Sequence, residues 1–339
     1  METVQVLSTR DLAEPLLDRL RAVSPRLQVL QRTCTNAAEV AAALAEHPGV
    51  EVLYGFRLPP DFLDLAPRLR WVQLDSAGND HLLDHAIMHS DVAITNASGI
   101  HATPIAEYVF ASMLAHRWHV PRLISSQAKR EWPPARHRLY FTPELRDSTL
   151  GIVGYGSIGR EVGRLARAFR MRILALRRSA GLVERGYSEV DTGDPQGMIP
   201  DRFYSPEALH DMLAECDYVV LALPSTPATH HFIGEAELRA MKPTAYLVNI
   251  ARGALVDEAA LVRALREGWI AGAGLDVFEK EPLPAESPLW NLDNVLISPH
   301  VAGDTPCYDE RAVELFAENL ARYLAGQPLL NLVDKAKGY

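Results

Sequence analysis

Residues 149–169 read TLGIVGYGSIGREVGRLARAF: an apolar run, three glycines spaced G-x-G-x-x-G, then apolar residues at helical spacing. Few local patterns constrain a fold so tightly. A strand that turns through glycines straight into a helix calls for a parallel neighbour, because the helix must cross over the sheet before the next strand begins. Gly154 permits the tight turn, Gly156 lets a ligand approach the backbone, and Gly159 lets the helix pack on the strand. The turn residues Tyr155, Ser157 and Ile158 complete the motif, and the helix start adds unpaired N–H groups and a partial positive charge. Preceded by a strand and opening a helix, the glycines have the context that binding of a dinucleotide pyrophosphate requires.

The rest of the 339-residue chain repeats the alternation, and its length exceeds what one core usually serves, so two domains are expected. Strands are read at 4–8, 27–31, 50–55, 69–78 and 92–99, with helices at 12–23 and 37–47. A second series of strands runs through 149–156, 172–176, 218–224, 245–251, 271–278 and 294–300. Alternating strands and helices predict an α/β fold of doubly wound parallel sheets. A long helical pattern at 103–132 is able to bridge the two domains; Thr103 is placed to cap it, Pro104 suits its first position, and Pro121 is expected to kink it. The loop-rich segment 181–206 reads as a surface excursion with no assigned role, and a final helix covers 305–326.

Composition excludes several classes. A net charge of −9 argues against a general nucleic-acid binder. No apolar run is long enough to span a bilayer, and the N-terminus lacks the pattern of a secretory signal. Cys34, Cys216 and Cys307 are far apart, without metal-ligand spacing. A cytoplasmic protein with reduced thiols, no bound metal and a small-molecule substrate is expected.

The strand after the glycine turn ends in LALRRS. An acid about 20 residues beyond the glycines would bind the ribose hydroxyls of NAD. Arg177 stands there instead, 18 residues after Gly159, with Arg178 and Ser179 beside it. Such a cluster suits the 2′-phosphate of NADP(H) through charge-assisted bonds. NADP(H) is therefore the preferred cofactor, with NAD(H) possible.

Three strand ends in the second half carry polar groups: Arg252 in NIARGALVDE, Glu281 in LDVFEKEPLP and His300 in LISPHVAG. Ligands of open α/β sheets gather at such ends. Reduction of a 2-oxo acid needs a cation for the carboxylate, a proton for the carbonyl oxygen and a hydride donor. Arg252 offers the planar fork, His300 a proton near neutral pH, and Glu281 a partner that keeps the imidazole protonated and oriented. Each also has an ordinary structural reading: an internal ion pair, a surface acid, a core histidine.

The segment NIARGALVDEAALVRALREGWIAGAGLDVFEKEPLP, together with TLGIVGYGSIGREV and SPHVAG, closely resembles the signatures of the D-isomer-specific 2-hydroxyacid dehydrogenases. The resemblance implies that Arg252, Glu281 and His300 are an Arg–Glu–His triad, and that Asp276 lies near the nicotinamide. It implies that Pro224, Ser225 and Thr226 line the nucleotide, along with Ile250, Ala251, Gly303 and Thr103. It implies a dinucleotide-binding domain, 102–300, inserted into a discontinuous flavodoxin-like substrate domain, 1–101 and 301–339, with the substrate in the cleft between them. Ala77 and Gly78, in QLDSAGND, resemble the loop whose amides grip the substrate carboxylate. Tyr54, with Phe56 and Arg57, either walls the side-chain pocket or packs in the core. The expected reaction is NAD(P)H-dependent reduction of a glyoxylate- or hydroxypyruvate-type acid to a D-2-hydroxy acid. Family members are usually homodimers through the coenzyme domains, and Trp132 is placed near that interface. Phosphite-type oxidation and a nucleotide-sensing, corepressor-like role are the alternatives on the same residues.

Overall fold

Five strands at the start of the chain alternate with helices: β1 (Val4–Ser8), α1 (Glu14–Ala22), β2 (Leu27–Gln31), α2 (Ala37–Glu46), β3 (Val50–Gly55), α3 (Phe62–Leu65), β4 (Trp71–Leu74) and β5 (Ala93–Thr95). All their pairings are parallel, in the order β2-β1-β3-β4-β5. Then come α4 (Ala102–Arg117), α5 (Val120–Lys129), α6 (Arg136–Leu139), β6 (Thr149–Val153), α7 (Ser157–Ala168), β7 (Arg172–Leu176), β8 (Arg202–Tyr204), α8 (Leu209–Glu215), β9 (Tyr218–Leu221), α9 (Glu235–Ala240), β10 (Tyr246–Asn249), α10 (Glu258–Glu267), β11 (Gly272–Leu275), β12 (Val295–Ile297) and α11 (Tyr308–Leu324). The seven later strands form a second parallel sheet, β12-β11-β10-β9-β6-β7-β8. This computed structural model describes residues 3–178 and 186–338.

The chain divides into two units. The first comprises Met1–His101, Arg185–Glu189 and Thr305–Tyr339; the second comprises Ala102–Glu184 and Val190–Asp304. The first sheet has the flavodoxin-like order and the second the Rossmann order with one added strand. Strand side chains alternate between faces, and the second sheet shows it directly: Val153, Leu174, Leu176, Val219 and Leu247 enter one apolar cluster, whereas Ile152, Ile173, Ala175, Val220 and Val248 enter another. That order reverses direction between β6 and β9, so the crevice at their carboxyl ends is where a ligand fits.

Three local expectations change. The pattern at 103–132 is two helices, not one: α4 ends at Arg117, and α5 starts after His119, which takes a left-handed φ of 51°. Pro121 thus sits in the first turn of a new helix, where its missing N–H has no bond to break. Thr103 lies inside α4 and does not cap it. The segment 181–206 holds a strand, β8, and a buttress for the glycine turn. Within it the Asp194 carboxylate accepts from Tyr155 Oη at 2.8 Å and from the amides of Met198 and Ile199, while Arg160 donates to the Asp194 carbonyl. Glu161, buried on α7, accepts from the amide of Gly193 at 2.7 Å.

Candidate functional site

The site begins at the turn after β6. Gly154 has φ +102°, and a Cβ there would meet the Ala222 carbonyl oxygen at 2.6 Å, so only glycine fits the backbone course. Gly159 presses its α-carbon against the carbonyl of Gly154, which seats α7 close on the strand. Gly156 differs: a Cβ there would meet nothing within 4 Å. Its smallness serves no internal packing, and it opens space in front of the N-terminus of α7, as a pyrophosphate cradle needs. Tyr155 turns its ring inward, with only 7% exposed, so it can meet a ligand only through its backbone. Arg177 follows β7 and lies over the Phe203 ring at 3.5 Å, a cation–π contact that holds the guanidinium at the strand end. Arg178 is beside it in sequence, and Ser179 lies outside the described residues. Pro224 is exposed and Ser225 and Thr226 half-buried on the loop after β9, tied by Thr229 Oγ1 to the Pro224 carbonyl at 2.7 Å. Ile250 and Ala251 are buried at the end of β10, whereas Thr103 and Gly303 are half-buried.

Glycine also explains how the charged groups are gathered. Gly253, immediately after Arg252, abuts the backbone of Phe278 and Glu279; a Cβ there would sit 1.8 Å from the Phe278 carbonyl carbon. The Phe278 amide in turn donates to Glu281 Oε1 at 3.0 Å. The other oxygen, Oε2, meets His300 Nδ1 at 2.8 Å. With Nδ1 engaged by the carboxylate, Nε2 is the nitrogen left to exchange a proton with a ligand. Both side chains of this pair are exposed, at 48% for His300 and 37% for Glu281. Arg252 is half-buried; its guanidinium Nη1 donates to the Ala251 carbonyl at 2.8 Å, and its own carbonyl accepts from Asn249 Nδ2 at 3.0 Å. The strand end carries a fork-shaped cation, and the close approach of Gly253 sets that strand end against the Phe278–Glu279 backbone, whose Phe278 amide holds Glu281.

Asp276, expected beside the nicotinamide, is 2% exposed and uses both carboxylate oxygens within the protein. Oδ1 accepts from Ser298 Oγ at 2.5 Å and from the Val301 amide at 3.0 Å; Oδ2 accepts from the Ala302 amide at 2.9 Å. Sequence reading missed Ser298 and its partner Tyr108, although a serine two residues before the histidine was the visible signal.

In the first unit, Tyr54 is 1% exposed and stacks on Phe316 with ring centroids 4.7 Å apart, which is core packing. Phe56 is exposed, and its ring lies tilted against His81 with centroids 4.1 Å apart. Ala77 and Gly78 are half-buried on the turn after β4, where Ser76 Oγ donates to the Gly78 carbonyl at 2.7 Å. This turn has anchors the sequence did not announce. Tyr308 Oη donates to the Asp75 carbonyl at 2.6 Å, and Arg10 pairs with the Asp75 carboxylate at 3.0 Å. Burial still outweighs Arg10 and pushes the Asp75 carboxyl above its ordinary range.

Residues 110–302 match the family model described as D-isomer specific 2-hydroxyacid dehydrogenase, NAD binding domain. A glyoxylate reductase from Pyrococcus furiosus is 38% identical over 283 residues, 82% of this chain and 80% of that one. Among solved structures, a D-isomer specific 2-hydroxyacid dehydrogenase from Xanthobacter autotrophicus Py2, in complex with NADPH and MES, superposes with a TM-score of 0.81 at 30% identity, covering 100% of both chains. An NADPH-dependent glyoxylate/hydroxypyruvate reductase from Sinorhizobium meliloti, in complex with NADP and sulfate, gives 0.79 at 26% identity, again covering 100% of both. With a family model over more than half its length and a relative this similar across four-fifths of it, the chain belongs to the D-isomer specific 2-hydroxyacid dehydrogenase family.

Proposed function

We propose that this protein is an NADPH-preferring reductase that converts a small 2-oxo acid of the glyoxylate or hydroxypyruvate type to the D-2-hydroxy acid. The observation that carries the reading is the Glu281–His300 bond at 2.8 Å, built next to the Arg252–Gly253 strand end. Arg252 binds the substrate carboxylate through its fork and polarises the carbonyl. His300 delivers a proton from Nε2 to the carbonyl oxygen, and Glu281 holds the imidazole in the orientation that allows it. When bound on the glycine turn, the dinucleotide supplies the hydride.

Preference for NADPH rests on Arg177, whose cation is held at the end of β7 where an acid would favour NAD. The relatives from Xanthobacter autotrophicus and Sinorhizobium meliloti, solved with NADPH and NADP, support the same reading. Tyr155, Ser157, Ile158, Arg178, Pro224, Ser225 and Thr226 are proposed to contact the dinucleotide through the turn backbone and the flanking loops. We further propose a homodimer. α5 has no buried residue, and Trp118, Ile124, Trp132 and Phe141 are exposed on the stretch between α4 and β6, an apolar surface that a second copy would cover. Three free thiols suit a cytoplasmic location.

The test is loss of NADPH absorbance with glyoxylate, hydroxypyruvate and a bulkier 2-oxo acid, repeated with NADH. Turnover of one of the two small acids, faster with NADPH, is expected. No turnover of any 2-oxo acid with either cofactor would remove the reading.

A further inference from the structure

We infer that Tyr108, Ser298 and Asp276 form a positioning chain that holds His300 in its working orientation. The inference rests on the reading of His300 as the proton donor. His300 has φ +56°, a left-handed conformation uncommon outside glycine and more often met in Asn, Asp and His, so the turn that holds it needs fixed neighbours on both sides. The fixing group is Asp276, which leaves the end of β11 and pins the chain on both sides of His300. It takes the Ser298 hydroxyl on one side and the amides of Val301 and Ala302 on the other. The single Ser298 proton goes to Asp276 at 2.5 Å, so the 2.6 Å contact between Ser298 Oγ and Tyr108 Oη is donated by the phenol. Tyr108 sits on α4, so the chain ties the histidine turn to the helix packed on the sheet.

A buried carboxylate committed to one hydroxyl and two amides is an acceptor of local hydrogen bonds, and its work here is mechanical. It sets the turn so that Nδ1 faces Glu281 and Nε2 is presented to the substrate. Tyr108 and Ser298 are positioning residues, since they act only through Asp276.

Full-length Ser298→Ala, Ser298→Thr and Tyr108→Phe would be compared with wild type for the Nδ1 proton resonance of His300, kcat and KM with glyoxylate, and NADPH dissociation constant. The resonance is assigned by its absence in His300→Asn. In Ser298→Ala the shifted resonance of the Glu281-bonded proton is lost and kcat falls about tenfold, with KM and NADPH affinity changed less than about twofold. Tyr108→Phe gives a smaller effect in the same direction. Ser298→Thr, which keeps the hydroxyl, restores both resonance and rate. An unchanged resonance in Ser298→Ala, a loss confined to NADPH affinity, or failure of threonine to rescue would overturn the inference. If Ser298→Ala does not fold, Tyr108→Phe alone decides, by the same resonance. A wild type that turns over no 2-oxo acid would defeat the functional reading, and the resonance would still judge the chain of hydrogen bonds.

Discussion

Replacing Gly253 with alanine adds one methyl group where the fold has no room for it. The new Cβ would lie 1.8 Å from the Phe278 carbonyl carbon, 2.0 Å from its oxygen and 2.3 Å from the Glu279 nitrogen. Ordinary contact begins at 3.4 Å, so the two segments must part by 3.4 − 1.8 = 1.6 Å. The obstacle is main chain on both sides, and no side chain can swing away. Overpacking of this kind costs about 1–3 kcal/mol, which for a domain of this size is a fall in Tm of roughly 3–10 °C. The larger effect is on chemistry. Arg252 precedes the glycine, and the Phe278 amide holds Glu281, so the parting shifts the strand end that carries Arg252 relative to the segment that carries Glu281. A displacement near 1 Å at reacting groups costs on the order of a hundredfold in rate. Gly253→Ala should therefore lose about a hundredfold in kcat/KM for glyoxylate, measured with saturating NADPH beside a thermal melt. Gly156→Ala is the contrast. Nothing lies within 4 Å of its Cβ, so Tm should move by less than about 2 °C while NADPH affinity falls about tenfold or more. A Gly253→Ala enzyme with wild-type kcat/KM and Tm would refute the argument that this close approach assembles the site.

Three further outcomes are expected. Arg177→Asp should shift the ratio of kcat/KM for NADPH over NADH toward NADH by about tenfold or more, because a cation offered to the 2′-phosphate becomes an acceptor for ribose hydroxyls; a wild type equally good with NADH counts against it. Glu281→Gln should lower kcat for glyoxylate by about tenfold or more at saturating NADPH, since the carboxylate that orients the imidazole through Nδ1 is gone; an unchanged kcat rejects the pairing. Burial, then Arg117 and His119, lowers the His116 pKa from 6.5 to about 4, and its ring stacks on Tyr246 at 4.1 Å. The unfolded chain then binds the extra proton between those values, so stability present above pH 6.5 is lost as pH falls toward 4. The loss attributable to His116 is about 2–3 kcal/mol. Urea melts at pH 7 and pH 4.5 should show His116→Phe lacking that part of the acid loss, and parallel losses in both proteins would discard the assignment.

The sequence by itself determined the elements that depend on neighbours along the chain. Alternating apolar strands and helical patterns predicted parallel sheets, and the glycines after β6 announced the turn, because dihedral freedom and hydrophobic period are local properties. Arg252, Glu281 and His300 were visible as polar groups ending apolar strands, and the signature segments that contain them carried the family resemblance. Local pattern failed where a break needs no breaker: helical spacing runs on through Trp118 and His119, while the left-handed φ at His119 ends one helix and starts the next. β8, three residues long, gave too short an alternation to read.

Only the tertiary structure decided what each polar group is for. The pattern that makes Tyr54 a pocket wall also makes it core, and stacking on Phe316, 262 positions away by 316 − 54, chose the core. Asp276 came only with the family resemblance, its partners stand 22 to 26 residues on, and Tyr108 reaches Ser298 across 190. Gly253 merely follows Arg252 in the sequence, and only folding sets the Phe278 and Glu279 backbone against it. Such assignments turn on distances between segments that the chain brings together only after it folds, and no periodicity along the sequence encodes them.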